Sequence, residues 1–247
     1  MSDPLLPAWS IVQLDEVDST NQEAKRRGAA GVAGPVWIVA RRQTQGRGRR
    51  GNTWQSAEGN LAASLLVRPG RPAGACAQLS FAAALAVSDM LAHYAPAADF
   101  RLKWPNDVLA DGRKVAGILL ESESEPGGRL KWLAIGIGVN LAAHPEDAEL
   151  PAVSLAALGV AAPRPSGAMG HLVPAFAKWY EAWLKDGFAP LREAWLARAT
   201  GLGGRIRVRL AREEMAGVFR DIDETGALVL GLPGGAVRTI AAGEVFW

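Results

Sequence analysis

The residues best suited to chemistry crowd into one short segment. Five arginines (Arg41, Arg42, Arg47, Arg49, Arg50) and three glycines (Gly46, Gly48, Gly51) fall within residues 41–51, with no aliphatic side chain among them. Guanidinium forks match carboxylate and phosphate, and glycine lets a backbone approach a ligand closely. The apolar run before them, residues 36–40, reads as a buried strand, so the segment predicts a strand emptying into an anion-binding loop. A solvated basic face and a nucleic-acid patch are the alternatives such a run allows. A Walker A motif is excluded, because no Gly-Lys-Ser/Thr follows. The spacing Gly46-Arg47-Gly48-Arg49-Arg50-Gly51 imitates a dinucleotide fingerprint, but Asn52-Thr53-Trp54-Gln55-Ser56 and Gly59-Asn60 continue as loop rather than helix.

Three further stretches carry polar groups in suggestive places. Lys103-Trp104-Pro105-Asn106-Asp107 sits inside a strand-like run, residues 100–109, which Pro105 must interrupt. Asp111-Gly112 predicts a turn, after which residues 114–121 return as a strand. Ser19, Thr20 and Asn21 stand where a helix starts, and their side chains suit either capping or a neutral polar ligand. In the strand at residues 130–139, Gly136 and Gly138 alternate with Ile135, Ile137 and Val139. One face is therefore bare, and something flat or another backbone is expected against it.

Composition bounds what these groups can do. A chain of 247 residues, 49% hydrophobic, suits one large domain with at most a small appendage and can bury a sizeable core. Its 27 basic and 25 acidic residues leave +2, so the basic loop is a local feature and not the mark of a dedicated nucleic-acid binder. A lone cysteine, Cys76, excludes internal disulfides and multi-cysteine metal sites and is expected to be a small buried residue. His93, His144 and His171 are scattered. No run is expected to approach the roughly 18 apolar residues of a membrane span, and no secretory signal is visible, so a soluble, cytoplasmic protein is expected.

The elements that must position these residues follow from periodicity and punctuation. Residues 11–14 predict a short strand, followed by a helix from about residue 19 to Gly28 as its C′ residue. Residues 61–67 predict a strand, and 78–94 a largely buried helix. Helices are expected over 166–185 and 191–199, with Phe176, Trp179, Trp183 and Trp195 as packing contacts. After Gly201-Leu202-Gly203-Gly204 the texture becomes short strands at 205–210, 215–222, 227–230 and 237–240, which predict a small β-barrel packed on the main domain.

Four of these stretches, in this order, resemble the biotin–protein ligase family: Asp18-Ser19-Thr20-Asn21, Gln43 through Gly51, Lys103-Trp104-Pro105-Asn106-Asp107, and Lys114-Val115-Ala116-Gly117-Ile118-Leu119 with Gly138-Val139-Asn140. Residues 217–223 and Ala242-Gly243-Glu244-Val245 extend the resemblance toward the C-terminus. The resemblance implies a mixed α/β catalytic domain (1–200) related to class II aminoacyl-tRNA synthetases, and an SH3-like barrel (201–247). It also implies a two-step reaction, in which biotin and MgATP give biotinyl-5′-AMP and the biotinyl group then passes to a lysine of a biotin carboxyl carrier domain.

By the same resemblance, Lys103 and Arg49 are the catalytic residues. Ser19, Thr20, Asn21, Gln43, Gly46, Arg47, Gly48, Arg49, Lys103 and Gly117 would meet biotin. Arg47, Arg49, Arg50, Trp54, Lys103, Asn106 and Asn140 would meet ATP or the adenylate, with Mg²⁺ accompanying the nucleotide and no metal ligands assignable. The arginine loop, lacking an aliphatic anchor, is expected to be a mobile lid in the free protein. A homodimer is compatible with the family; a specific DNA partner is not expected, because 17 residues before Asp18 are too few for the winged helix that repressor members carry. The sequence departs from the family pattern at Asn52, often basic, and at Ala62-Ala63, commonly an aromatic-containing pair. A lipoate–protein ligase shares the two-step logic and is the main alternative; a non-enzymatic nucleic-acid binder is the other.

Overall fold

The computed structural model describes residues 9–126 and 128–247; the N-terminal residues and Gly127 lie outside the described residues. The first part of the chain forms β1 (Ser10–Val17), α1 (Thr20–Ala29), β2 (Val36–Gln43) and β3 (Leu61–Val67). α2 (Ala73–Cys76), α3 (Leu79–Tyr94), β4 (Phe100–Lys103), β5 (Asp107–Ala110), β6 (Arg113–Ser124) and β7 (Leu130–Val139) follow. Seven strands make one mixed sheet in the order β1-β2-β3-β7-β6-β5-β4, parallel only between β1 and β2. The helices α4 (Pro165–Asp186) and α5 (Ala189–Leu196) complete this part.

Both sheet faces are covered, which is why β3, Leu-Ala-Ala-Ser-Leu-Leu-Val, is buried at every position. On one face α3 and α4 pack over Leu61, Leu65, Ile135, Ile137 and Val139, forming the main core. On the other, α1 covers a smaller cluster of Ala24, Ile38, Leu66, Trp132 and Ala134. Along β7 the alternation therefore sends the isoleucines to the main core and leaves Gly136 and Gly138 on the α1 side. Gly138 pairs directly with Gly117 of β6, so two side-chain-free positions lie next to each other across the ladder. This makes a trough beyond the start of α1.

Several sequence expectations change in detail. β1 runs on to Val17 because it pairs with β2 through Gln43, so part of the basic segment is strand rather than loop. Gly28 is not the C′ residue: the helix continues to Ala29, and a Cβ on Gly28 would lie 2.6 Å from the Trp132 ring. Glycine is there to let α1 approach β7. The expectation that no run approaches a membrane span is also corrected, since residues 73–94 are long and apolar enough by length and composition. Their side chains, Leu79, Leu85, Met90 and Leu91 among them, are buried in the main core, as the apolar texture of α3 requires. Cys76 is buried as expected, and burial pushes its thiol up.

The C-terminal strands are β8 (Arg205–Arg209), β9 (Glu214–Ile222), β10 (Leu228–Gly231), β11 (Val237–Ile240) and β12 (Glu244–Phe246). They form an antiparallel sheet in the order β11-β10-β9-β8-β12, a layout that fits an SH3-like domain, although no hydrogen-bonded closure into a barrel is formed. β12 escaped the sequence reading, being only three residues long. Ile206, Val208, Phe219, Leu228 and Val245 belong to the same buried cluster as α3 and the large sheet. Trp104 Nε1 donates to Gly226 O at 3.0 Å, Gln78 Nε2 donates to Glu224 O at 3.0 Å, and Arg192 bonds Asp221. The small sheet is thus docked, not tethered.

Candidate active site

A cavity of about 450 Å³ opens where the trough, the start of α1, the arginine loop and β12 meet. Of the residues expected to meet biotin or the nucleotide, only Gly46 and Arg50 fail to line it; Arg41, Arg42 and Gly51 of the basic segment also lie outside it. Gly46 packs beneath the loop, where a Cβ would come within 2.3 Å of Trp54 O. Arg50 adopts a positive φ of 54° and turns to Glu244 at 3.6 Å.

One end of the cavity is a neutral polar network. Ser19 precedes α1 without making a side-chain cap, so the capping reading of this cluster is not the one realised. Thr20 N and Oγ1 both donate to Gln43 Oε1, at 2.8 and 3.0 Å, and Gln43 Nε2 donates to Ser56 Oγ at 2.9 Å. Ser64 Oγ lies 2.8 Å from Thr20 Oγ1 and 2.6 Å from Asn21 Oδ1. Asn21 Nδ2 donates to Glu121 Oε2 at 2.9 Å and to Leu119 O at 3.2 Å. Sequence reasoning missed Ser64. Its signal was a serine in an otherwise apolar strand, since a fully buried hydroxyl must find partners. This end offers donors and acceptors but no net cation.

The other end is cationic. Lys103 closes β4 and is 7% exposed; among the described residues it has no ion-pair partner. Burial pushes its ammonium below the ordinary lysine range, with Asp107 opposing that shift and Lys114 adding to it. Asp107 is instead paired with Lys114, Nζ to Oδ1 at 2.7 Å. Arg49 Nη1 donates to Asn106 Oδ1 at 3.2 Å and to Gly243 O at 3.4 Å, while burial and the neighbouring Arg50 push its guanidinium down. Arg47 reaches Glu121 at 3.3 Å, so one carboxylate joins the loop to Asn21. Asn140 is buried and holds backbone, donating through Nδ2 to Val153 O at 3.2 Å.

The loop is less free than its composition implies. Gly48 N donates to Asn52 O at 2.7 Å, Trp54 N donates to Gly46 O at 3.0 Å, and Arg47 pairs with Thr53. Its anchor is the Trp54 indole, which lies on the bare trough: a Cβ on Gly138 would sit 2.3 Å from the ring, and one on Gly117 3.2 Å. The flat object expected against the glycine strand is therefore supplied, in this state, by the chain itself. Lys114 Nζ lies 5.8 Å from the indole, and the indole N–H is buried without a partner. No three His, Cys, Asp or Glu side chains cluster as a metal cage among the described residues.

Comparison with known proteins agrees with this geometry. Residues 14–140 match the model of the biotin/lipoate A/B protein ligase family, and residues 201–247 match that of the biotin protein ligase C-terminal domain. The chain is 48% identical over 241 residues to a biotin–[acetyl-CoA-carboxylase] ligase of Paracoccus denitrificans, covering 95% of this chain and 99% of that protein. It is 38% identical to the protein of the same name from Mycobacterium tuberculosis, covering 94% and 88%. The structure of the Aquifex aeolicus biotin protein ligase in complex with biotin and ATP superposes with a TM-score of 0.81 at 27% identity, covering 96% of this chain and 97% of that one. With its fold and both family matches in agreement, the chain belongs to the biotin/lipoate A/B protein ligase family and carries the C-terminal domain of the biotin protein ligases.

Proposed function

We propose that this protein activates biotin with ATP and transfers the biotinyl group to a lysine of a biotin carboxyl carrier domain. The observation that carries this reading is Lys103, a buried cation with no ion-pair partner among the described residues, between a polar end and an arginine-lined end of one cavity. The ureido ring of biotin is uncharged and needs matched donors and acceptors, which Ser19, Thr20, Asn21 and Gln43 offer. Its carboxylate would then point to Lys103.

The first step joins two anions. The biotin carboxylate oxygen attacks the α-phosphorus of ATP, the bond to the β-phosphate oxygen breaks, and pyrophosphate leaves. Lys103 is a point charge placed to offset the negative charge shared between carboxylate and phosphate as they meet. Mg²⁺ bound with the nucleotide would shield the triphosphate. No carboxylate, histidine or cysteine cage is found among the described residues, and such an ion typically keeps phosphate and water oxygens as ligands. In the second step the acceptor amine attacks the anhydride carbonyl, AMP leaves, and the amine proton passes to bulk water. Arg47, Arg49 and Trp54 cover the cavity, so the loop would keep water from the anhydride in between.

In this proposal the catalytic unit spans residues 1–200 with 201–247 appended, and the cytoplasm is where ATP and an acceptor are both at hand. We expect no specific operator, and retention on DNA that is at most weak and lost with salt. A homodimer is compatible with the family, and sedimentation decides between it and a monomer. The lipoate alternative calls for a long, wholly apolar tunnel, which the polar network of Thr20, Asn21, Gln43 and Ser64 does not offer. The deciding experiment is ATP-dependent transfer of labelled biotin to a carrier domain, with lipoate in parallel. Transfer of lipoate but not biotin, or of neither, would end this reading.

A further inference from the structure

β12 brings two aromatic rings to the buried end of Lys103. Its Nζ lies 5.3 Å from the Phe246 ring and 5.7 Å from the Trp247 ring, both within the range of a cation–π contact. Phe246 lines the cavity and is half-buried. Glu244 and Phe246, two apart on the strand, share a face, and β12 is held by pairing to β8, Glu244 to Arg209 and Phe246 to Arg207. Arg209 lies 4.4 Å from the same ring, but its charge is engaged by Glu149 at 2.9 Å and Glu244 at 3.6 Å. The Phe246 ring thus faces two cations, of which Lys103 has no ion-pair partner among the described residues.

We infer that Phe246, with Trp247, is a positioning residue for Lys103. The ring faces hold the desolvated ammonium charged and in place where the two anions must meet. This goes beyond the motif that supplies the lysine, because the positioning group comes from the other end of the chain, and it rests on the proposed role of Lys103 in the reaction. Other charges also face that ammonium: Asp107 from β5, Lys114 from β6, Glu244 from β12 and Glu149 from the segment after β7. Arg49 stands on the loop side of the cavity. Of these, Asp107, Glu149 and Glu244 are each already paired with another cation. The remaining neighbours of Lys103 are the aromatic faces, of which Phe246 is shared with Arg209.

The test separates a ring face from mere apolar cover. Phe246→Leu keeps the lysine dry but removes the quadrupole; Phe246→Tyr keeps the face. In the free, full-length protein, labelled-lysine NMR follows the Lys103 titration, assigned by its loss in Lys103→Arg. Phe246→Leu should move that titration down by about half to one pH unit, and the double variant with Trp247→Leu further, while Phe246→Tyr should leave it in place. Because the ring of Trp247 is largely exposed, Trp247→Leu alone should fold and shift the titration in the same direction by less. Biotin-dependent pyrophosphate exchange should lose its alkaline limb by the same interval. An unchanged or upward titration in well-folded Phe246→Leu, or a tyrosine variant moved as far as the leucine one, overturns the inference. A wild-type protein without pyrophosphate exchange overturns the functional reading alone, and the lysine titration still decides this one.

Discussion

The glycine trough makes a quantitative demand on one residue. In Gly138→Ala the new Cβ would lie 2.3 Å from Trp54 Cε2 and 2.6 Å from Cζ2 and Nε1. Carbon atoms pack at about 3.5–4.0 Å, so the indole must retreat by more than an ångström. The ring must leave its present place on the trough, and any accompanying backbone shift would disturb the Trp54 N–H bond to Gly46 O. Overpacking of this kind costs about 1–3 kcal/mol. Gly117→Ala, whose Cβ would be 3.2 Å from the same indole, should cost markedly less. At about 2–4 °C per kcal/mol for a chain of this size, Gly138→Ala is visible in a thermal melt, and displacement of Trp54 in its fluorescence.

A double-mutant cycle identifies the cause. With Trp54→Ala the three nearest obstacles vanish, since all belong to that indole. Alanine is then better than glycine inside a strand by about 0.5–1 kcal/mol, so Gly138→Ala should change sign and stabilise the Trp54→Ala protein. Equal destabilisation in both backgrounds would refute the reasoning, because the clash would then come from backbone. A ligand base or ring that must enter this trough would be excluded in the same variant, so nucleotide affinity should fall along with stability.

Other expectations are simpler. Lys103→Ala should lower pyrophosphate exchange by at least about 10²–10³-fold while the melt is kept, because the side chain holds no ion pair to lose; exchange near the wild-type rate would remove Lys103 from the mechanism. Arg49→Gly loses the bonds to Asn106 and Gly243, roughly 1.5–3 kcal/mol if the adenylate phosphate replaces them, so adenylate should leave about ten to a hundred times faster and label bystander lysines; unchanged release would make the loop a passive surface. Asp18 is held down at about 2 by its bond to Arg26, so the unfolded chain binds the proton first as pH falls. Its contribution is therefore present above about pH 4 and lost toward pH 2, and Asp18→Asn should flatten the denaturation midpoint over that interval and leave it unchanged at pH 7 in its slope.

The residues that line the cavity were more legible than what packs against them. Arg49 and Lys103 stand out as cations in short polar runs, whereas Asn106 and Gln43 stand out only through the family resemblance of the runs that hold them. The bare face of β7 was also legible, as period-two glycine. What lay against it was not: Trp54 meets Gly117 and Gly138 only after β3, β6 and β7 have paired, and pairing order is not written locally. Ser64 was hidden because six apolar neighbours made its strand read as core alone. Gly28 misled for a related reason, since a close helix–sheet approach and a helix stop both select glycine, and only the Trp132 ring distinguishes them. The loop's contact with the sheet was missed by looking for aliphatic anchors when the one present is an indole.

These long-range facts also change what the C-terminal sheet is for. A docked module could be held on the main domain by contacts anywhere, and Gln78 to Glu224 is such a contact. The contacts of β12 are different in kind. Gly243 O receives Arg49, Glu244 meets Arg50, and Phe246 faces Lys103. Behind the lysine, the next residue of its motif, Trp104, donates to Gly226 O of the same sheet. A loop too polar to bury itself and a lysine too desolvated to stand alone thus share one external support. The sheet separates cleanly in topology but not in chemistry, because the cavity it borders has no complete wall without it. Any variant that loosens the small sheet should therefore lower activity before it lowers the melting temperature of the large one.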